Sequence, residues 1–125
     1  MEVRELRIGN LLYSNLTERK FICSSEDIYN LSMDYNANNA NYVELTEEFL
    51  LKSGFTAIIF LNEYLVQEKW YKYLDIIIRY GVFDGHRFIF DFANEKCVNL
   101  KYVHQLQNLY FAICGEELVF SSTGP

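Results

Sequence analysis

Two runs of alternating apolar residues, Tyr73 to Val82 and His86 to Phe92, flank Phe83-Asp84-Gly85, and this pattern constrains the fold more than any other in the chain. A period of two turns one face of each strand to a core and the other to solvent. Asp-Gly marks a tight reversal between them. A two-residue Asp-Gly loop would pair Phe83 with His86, and hence Arg79 with Phe90, setting a charge against an apolar face. A three-residue loop with Gly85 in the left-handed region instead pairs Tyr80 with Phe88, Ile78 with Phe90 and Ile76 with Phe92. That register gathers Asp75, Arg79, Arg87 and Asp91 on the outer face, with opposite charges at diagonal spacing, and it is the expected one.

Around the hairpin the chain reads as an α+β fold. Leu6 to Ser14 and Lys20 to Cys23 read as strands about a turn at Asn15 to Arg19. Ser24 or Ser25 can cap a brief segment over Glu26 to Leu31, too short for periodicity to separate helix from strand. Asp34 to Asn41 (DYNANNAN) is a loop by composition. Thr46 is an N-cap residue followed by Glu47 and Glu48 in the first turn, with Lys52 near the end, Gly54 as the stop and Phe55 as the accompanying apolar contact. Thr56 to Leu61 reads as a buried strand, Asn62 to Tyr71 as either strand or aromatic-rich loop, Lys96 to Leu100 as a strand and Leu118 to Phe120 as a short one. The expected order is short N-terminal strands, then a helix, an antiparallel sheet and a C-terminal helix. The chain forms a single domain over 1–125, subdivided into a meander at 1–45 and a helix-sheet-helix unit at 46–120.

The C-terminal helix carries the most unusual composition. Tyr102 to Gly115 (YVHQLQNLYFAICG) holds no Asp, Glu, Lys or Arg, although 22% of the chain is charged. At 100° per residue Tyr102, Val103, Leu106, Leu109, Tyr110 and Ile113 share one arc, the expected buried face. Gly115 supplies the left-handed stop. The opposite arc holds His104, Gln105, Gln107, Asn108, Phe111 and Ala112, where a solvated helix would show Lys and Glu four residues apart. Two readings stand. That face packs inside the monomer with its amides satisfied by backbone groups, or it is an uncharged contact surface anchored on Phe111, with His104 and Asn108 one turn apart beside it.

Length and charge exclude several classes. At 125 residues the chain is one domain-sized unit. Its longest apolar run, Leu109 to Cys114, is far short of the roughly 20 residues a bilayer span needs. The start, MEVRELRIGN, has no apolar leader pattern, which points to the cytoplasm. Three widely separated cysteines argue against a disulfide framework. Residues 21 to 68 hold eight acids against one base, and residues 69 to 101 hold six bases against four acids. No window forms the concentrated basic face that phosphate neutralisation requires, so nucleic acid is a disfavoured partner.

Three blocks carry a resemblance: LRIGNLLYS (Leu6 to Ser14), ELTEEFLLKSGF (Glu44 to Phe55) and KYVHQLQNLYFAICGEEL (Lys101 to Leu118). On these the chain resembles a family of short uncharacterised proteins encoded in gut-bacterial genomes and their phages or mobile elements. Family members more often read I-P-L-T-E-E-W-L-L and F-A-L-T-G-E-E-L. Here Val43-Glu44-Leu45 precedes Thr46, Phe49 replaces the Trp, and Ile113-Cys114 replaces Leu-Thr. The resemblance implies a shared fold, a small barrel-like β meander at the N-terminus leading into a helix, sheet and helix unit, and no activity, so no functional residue is carried over from it.

Chemistry-bearing groups are sparse. Cys97, His104 and Cys114 are the nearest Cys/His grouping, without the paired spacing of a structural zinc site, and no metal or other cofactor is implied. Cys97 with His104 or His86 is the one constructible nucleophile and base. Glu47 with Glu48 and Glu116 with Glu117 point apart on a helix, and no phosphate-cradling glycine motif occurs. The expectation is a non-catalytic interaction or accessory module. Its uncharged C-terminal helix face, through His104, Gln107, Asn108 and Phe111, would meet a protein partner or a second copy. The alternatives are a nucleic-acid-associated small-barrel protein of a phage or mobile element, and an enzyme using Cys97 and His104.

Overall fold

A computed structural model describes residues 5–33, 39–81, 87–91 and 97–120. In chain order the elements are β1 (Leu11–Ser14), β2 (Arg19–Ile22), α1 (Ser25–Leu31), β3 (Ala40–Tyr42), α2 (Glu47–Lys52), β4 (Thr56–Leu61), β5 (Gln67–Tyr73), β6 (Ile76–Gly81), β7 (Arg87–Asp91), β8 (Cys97–Leu100) and α3 (Val103–Cys114). They form two compact units: residues up to Glu44 with Tyr102–Leu118, and Leu45–Lys101 with residues 119–120. The α+β class is as the sequence indicates.

In the first unit β1 is the central strand of an antiparallel sheet ordered β2-β1-β3, with Leu12 opposite both Phe21 and Tyr42. This replaces the expected barrel-like meander: α1 intervenes between β2 and β3, and β3 comes from a segment read as loop. The strand expected from Leu6 begins only at Leu11, because Gly9 takes a left-handed φ of 100° and breaks the extension. Ser24 and Asp27 form a reciprocal capping box, with Asp27 N–H donating to Ser24 Oγ at 3.2 Å and Ser24 N–H to Asp27 Oδ2 at 2.9 Å, which settles α1 as a helix. Leu12, Cys23, Leu31 and Ala40 form the core beneath it.

The C-terminal helix α3 belongs to this unit, rather than to the sheet that precedes it in sequence. Val103 N–H donates to Val43 C=O at 2.8 Å, and Glu44 bridges to Tyr102. Gly115 ends the helix at φ 73° as expected. The buried arc is Val103, His104, Leu106, Gln107 and Tyr110, while Ile113 is exposed. The helix is thus turned toward His104 and Gln107 relative to the face that hydropathy selects.

The second unit opens with α2. Thr46 Oγ1 accepts the Phe49 N–H at 3.2 Å. At the other end Phe55 N–H reaches Leu50 C=O at 3.0 Å and Gly54 N–H reaches Leu51 C=O at 3.2 Å, the paired bonds of a Schellman stop, with Gly54 at φ 97°. The sheet is a five-stranded antiparallel meander, β4-β5-β6-β7-β8. Ile78 faces Phe90 and Tyr80 faces Phe88, the register derived above, while its continuation to Phe92 and the Phe83-Asp84-Gly85 turn lie outside the described residues. Arg79 forks onto Asp91 on the outer face, as diagonal spacing requires. Tyr71, Ile78 and Phe90 form one buried rung, and α2 lies along β4 with Leu50 fully buried. Residues 118–120 form no strand; Phe120 instead meets the Phe49 ring at 5.0 Å.

Candidate functional site: an unprotected sheet edge

The polar arc of α3 is used inside its own unit. Gln107 accepts the Leu11 N–H at 2.8 Å and donates to Gly9 C=O at 3.1 Å. Asn108 Oδ1 receives Asn10 Nδ2 at 2.8 Å and Arg7 Nε at 3.2 Å, and its own amide donates to Glu5 C=O at 2.9 Å. Arg7 stands 4.3 Å above the Phe111 ring and forks onto Glu117. These contacts lash residues 5–11 to α3.

The surface expected over His104, Gln107 and Asn108 is therefore an internal seam: His104 is 0% and Gln107 1% exposed, and Asn108 is half-buried. Phe111 alone of the four stays open, at 40%, and a guanidinium already covers one of its faces. The cause is that residues 5–10 are loop rather than strand. Among their backbone groups, the carbonyls of Glu5 and Gly9 find their partners in the amides of α3.

His104 is an exception within the seam. Its ring stacks on Tyr42 at 4.3 Å, both ring nitrogens lack a hydrogen bond, and Glu5 Oε1 lies 3.9 Å from Nε2, beyond bonding reach. Burial holds its pKa below the ordinary histidine value, with Glu5 opposing. Such a ring serves packing rather than proton transfer. It belongs to one unit and Cys97 to the other; His86 lies outside the described residues. Among the described residues no group of three His, Cys, Asp or Glu converges as a metal site. A cleft of about 390 Å³ in the first unit is lined by Ser14, Phe21, Asp27 and Ala40 among others. Its one carboxylate, Asp27, is engaged by Ser24, so no acid–base pair is assembled there.

The feature that sequence reasoning placed wrongly is β4. Thr56–Leu61 reads as buried, yet it is the edge of the sheet, with Ile59 56% and Leu61 63% exposed and Ile58 and Phe60 also open. Its free hydrogen-bonding groups can be assigned. Asn62 N–H donates to Val66 C=O at 3.0 Å, which makes that pair the hydrogen-bonded type. By alternation along an antiparallel ladder, Thr56, Ile58 and Phe60 bond toward β5, while Ala57, Ile59 and Leu61 point their N–H and C=O groups outward. Sheet edges are ordinarily blunted by charge, proline or bulges. The run T-A-I-I-F-L has none of these, and its pairing with β5 is uninterrupted.

The turn that follows is firmly built. Asn62 Oδ1 accepts the N–H groups of Tyr64 at 2.9 Å and Val66 at 3.0 Å, and Leu65 N–H donates to Asn62 C=O at 3.0 Å. It holds Leu65 at φ 60° and leaves Tyr64 and Leu65 almost wholly in solvent. A leucine there bears a left-handed backbone cost of about 1 kcal/mol without packing in return. Together β4 and its turn hold the longest run of exposed large apolar residues along the chain among the described residues. An apolar run cannot by itself tell a central strand from an edge; only its place as first strand of the meander does.

No helix among the described residues is long and apolar enough to cross a membrane. Compared with protein-family models, with curated proteins and with solved structures, the chain gives no significant match.

Proposed function

We propose that the protein is a non-catalytic interaction module that works by strand addition at β4. One observation carries this reading: an uncharged edge strand presents free main-chain groups at Ala57, Ile59 and Leu61 between exposed apolar side chains. Main-chain bonds would give affinity and alternate side chains specificity, the physics by which extended segments join sheets. This moves the interaction surface from α3, whose polar arc is internally consumed, to the second unit. Partner capture by the wild type and by an Ile59→Lys, Leu61→Lys variant tests it. Associations retained by the first and lost by the second are expected; associations untouched by the double substitution would overturn the reading.

A further inference from the structure

Resting on the strand-addition reading, we infer that the strand received at this edge is β4 of a second copy, laid antiparallel across a two-fold axis at Ile59. An edge that pairs with its own copy must do so about a two-fold, the same patch on both sides. The outward groups sit on odd-numbered residues, so the axis must bring 57, 59 and 61 onto one another. An axis at residue 58 would oppose Leu61 to Phe55, whose N–H is already given to Leu50 C=O. An axis at residue 60 would oppose Ala57 to Glu63, inside the Asn62–Val66 turn. The axis at Ile59 opposes Ile59 to itself and Ala57 to Leu61, and uses every free group in about six main-chain hydrogen bonds.

Side-chain chemistry fits the same register. Ile59 meets Ile59 and Ala57 meets Leu61 on one face, Ile58 meets Phe60 on the other, and at the ends Thr56 meets Asn62. No charge faces a like charge, which matters for a chain of net charge −6 meeting itself. Strand pairing alone covers less than the roughly 800 Å² per partner of a stable interface. The exposed Tyr64 and Leu65 of the turns that end the paired strands are further apolar surface available to it.

Molar mass in solution tests this on the full chain. From about 1 to 100 µM, the expected result is conversion from 14.8 kDa to twice that mass. Hydrogen exchange should slow with concentration at the amides of Ala57, Ile59 and Leu61 and not at those of Ile58 and Phe60. Ile59→Lys, which sets two ammonium groups across the axis, should weaken dimerisation at least about 100-fold, whereas Ile8→Lys at an exposed site of the first unit should leave it unchanged. Should Ile59→Lys fail to fold, exchange on the wild type decides. A monomer throughout the range, or a dimer with unchanged exchange at these three amides, overturns the self-pairing. A monomer that captures another protein in an Ile59-sensitive way overturns self-pairing and upholds strand addition; a monomer without such a partner overturns both.

Discussion

Gln107 and Leu11, ninety-six residues apart, are joined through the Gln107 side-chain carbonyl and the Leu11 main-chain N–H at 2.8 Å, in full burial. Because the same amide also satisfies Gly9 C=O, its loss orphans a donor and an acceptor together. Gln107→Leu keeps the volume and removes both bonds, so stability should fall by about 1–3 kcal/mol. Urea unfolding followed by a probe in the first unit measures this; an unchanged midpoint would show that the seam contributes nothing.

His104 makes the first unit sensitive to acid. Its neutral form is favoured in the fold, so below the ordinary histidine pKa the unfolded chain binds more protons than the folded one. Stability is fully present above that value, declines as pH falls through it, and levels off only below the depressed folded pKa. Unfolding midpoints measured from about pH 7.5 to 5.5 should decline for the wild type. His104→Phe, which retains the stack on Tyr42, should flatten most of that slope.

Leu74 occupies the two-residue connection between Tyr73 and Ile76 at φ 53°, with its side chain 58% exposed. Glycine adopts that conformation freely, and little burial is lost on truncation. Leu74→Gly should therefore stabilise the second unit by about 0.5–1 kcal/mol. Thermal denaturation reads the sign directly, and a lower midpoint would mean that the leucine makes compensating contacts.

The three thiols should separate in reactivity. Cys97 is exposed, Cys114 half-buried and Cys23 buried, with the Cys23 pKa raised to about 11 chiefly by burial and further by Asp27. Alkylation near pH 8, resolved by peptide mass spectrometry, should modify Cys97 first and leave Cys23 untouched until denaturant is added. Early labelling of Cys23 would show that the first-unit core opens readily.

Local signals were legible where a boundary residue acts within its own turn of helix or strand. Thr46, Gly54 and Gly115 cap as read, and the β6–β7 register followed from asking which pairing keeps Arg79 away from Phe90. What the chain concealed depends on distant partners. The inward turn of Gln107 arises because its amide serves the Leu11 N–H and the Gly9 C=O, groups ninety-six and ninety-eight residues away in the chain. The exposure of β4 arises because it is first in its sheet, a matter of order rather than composition. The candidate site was missed for that second reason: Ile58 to Leu61 looks the same whether a neighbour exists or not.

The seam between residues 5–11 and α3 also sets an order of assembly during synthesis. The meander from β4 to β8 is contiguous in sequence, with each strand pairing to the one just made, so it can close while the chain is still being extended. The first unit must wait until Gln107, Asn108 and Glu117 have been added, because they hold Arg7 and Asn10 in place. A nascent chain interrupted before Tyr102 would thus present a finished sheet alongside a first unit still lacking its helix.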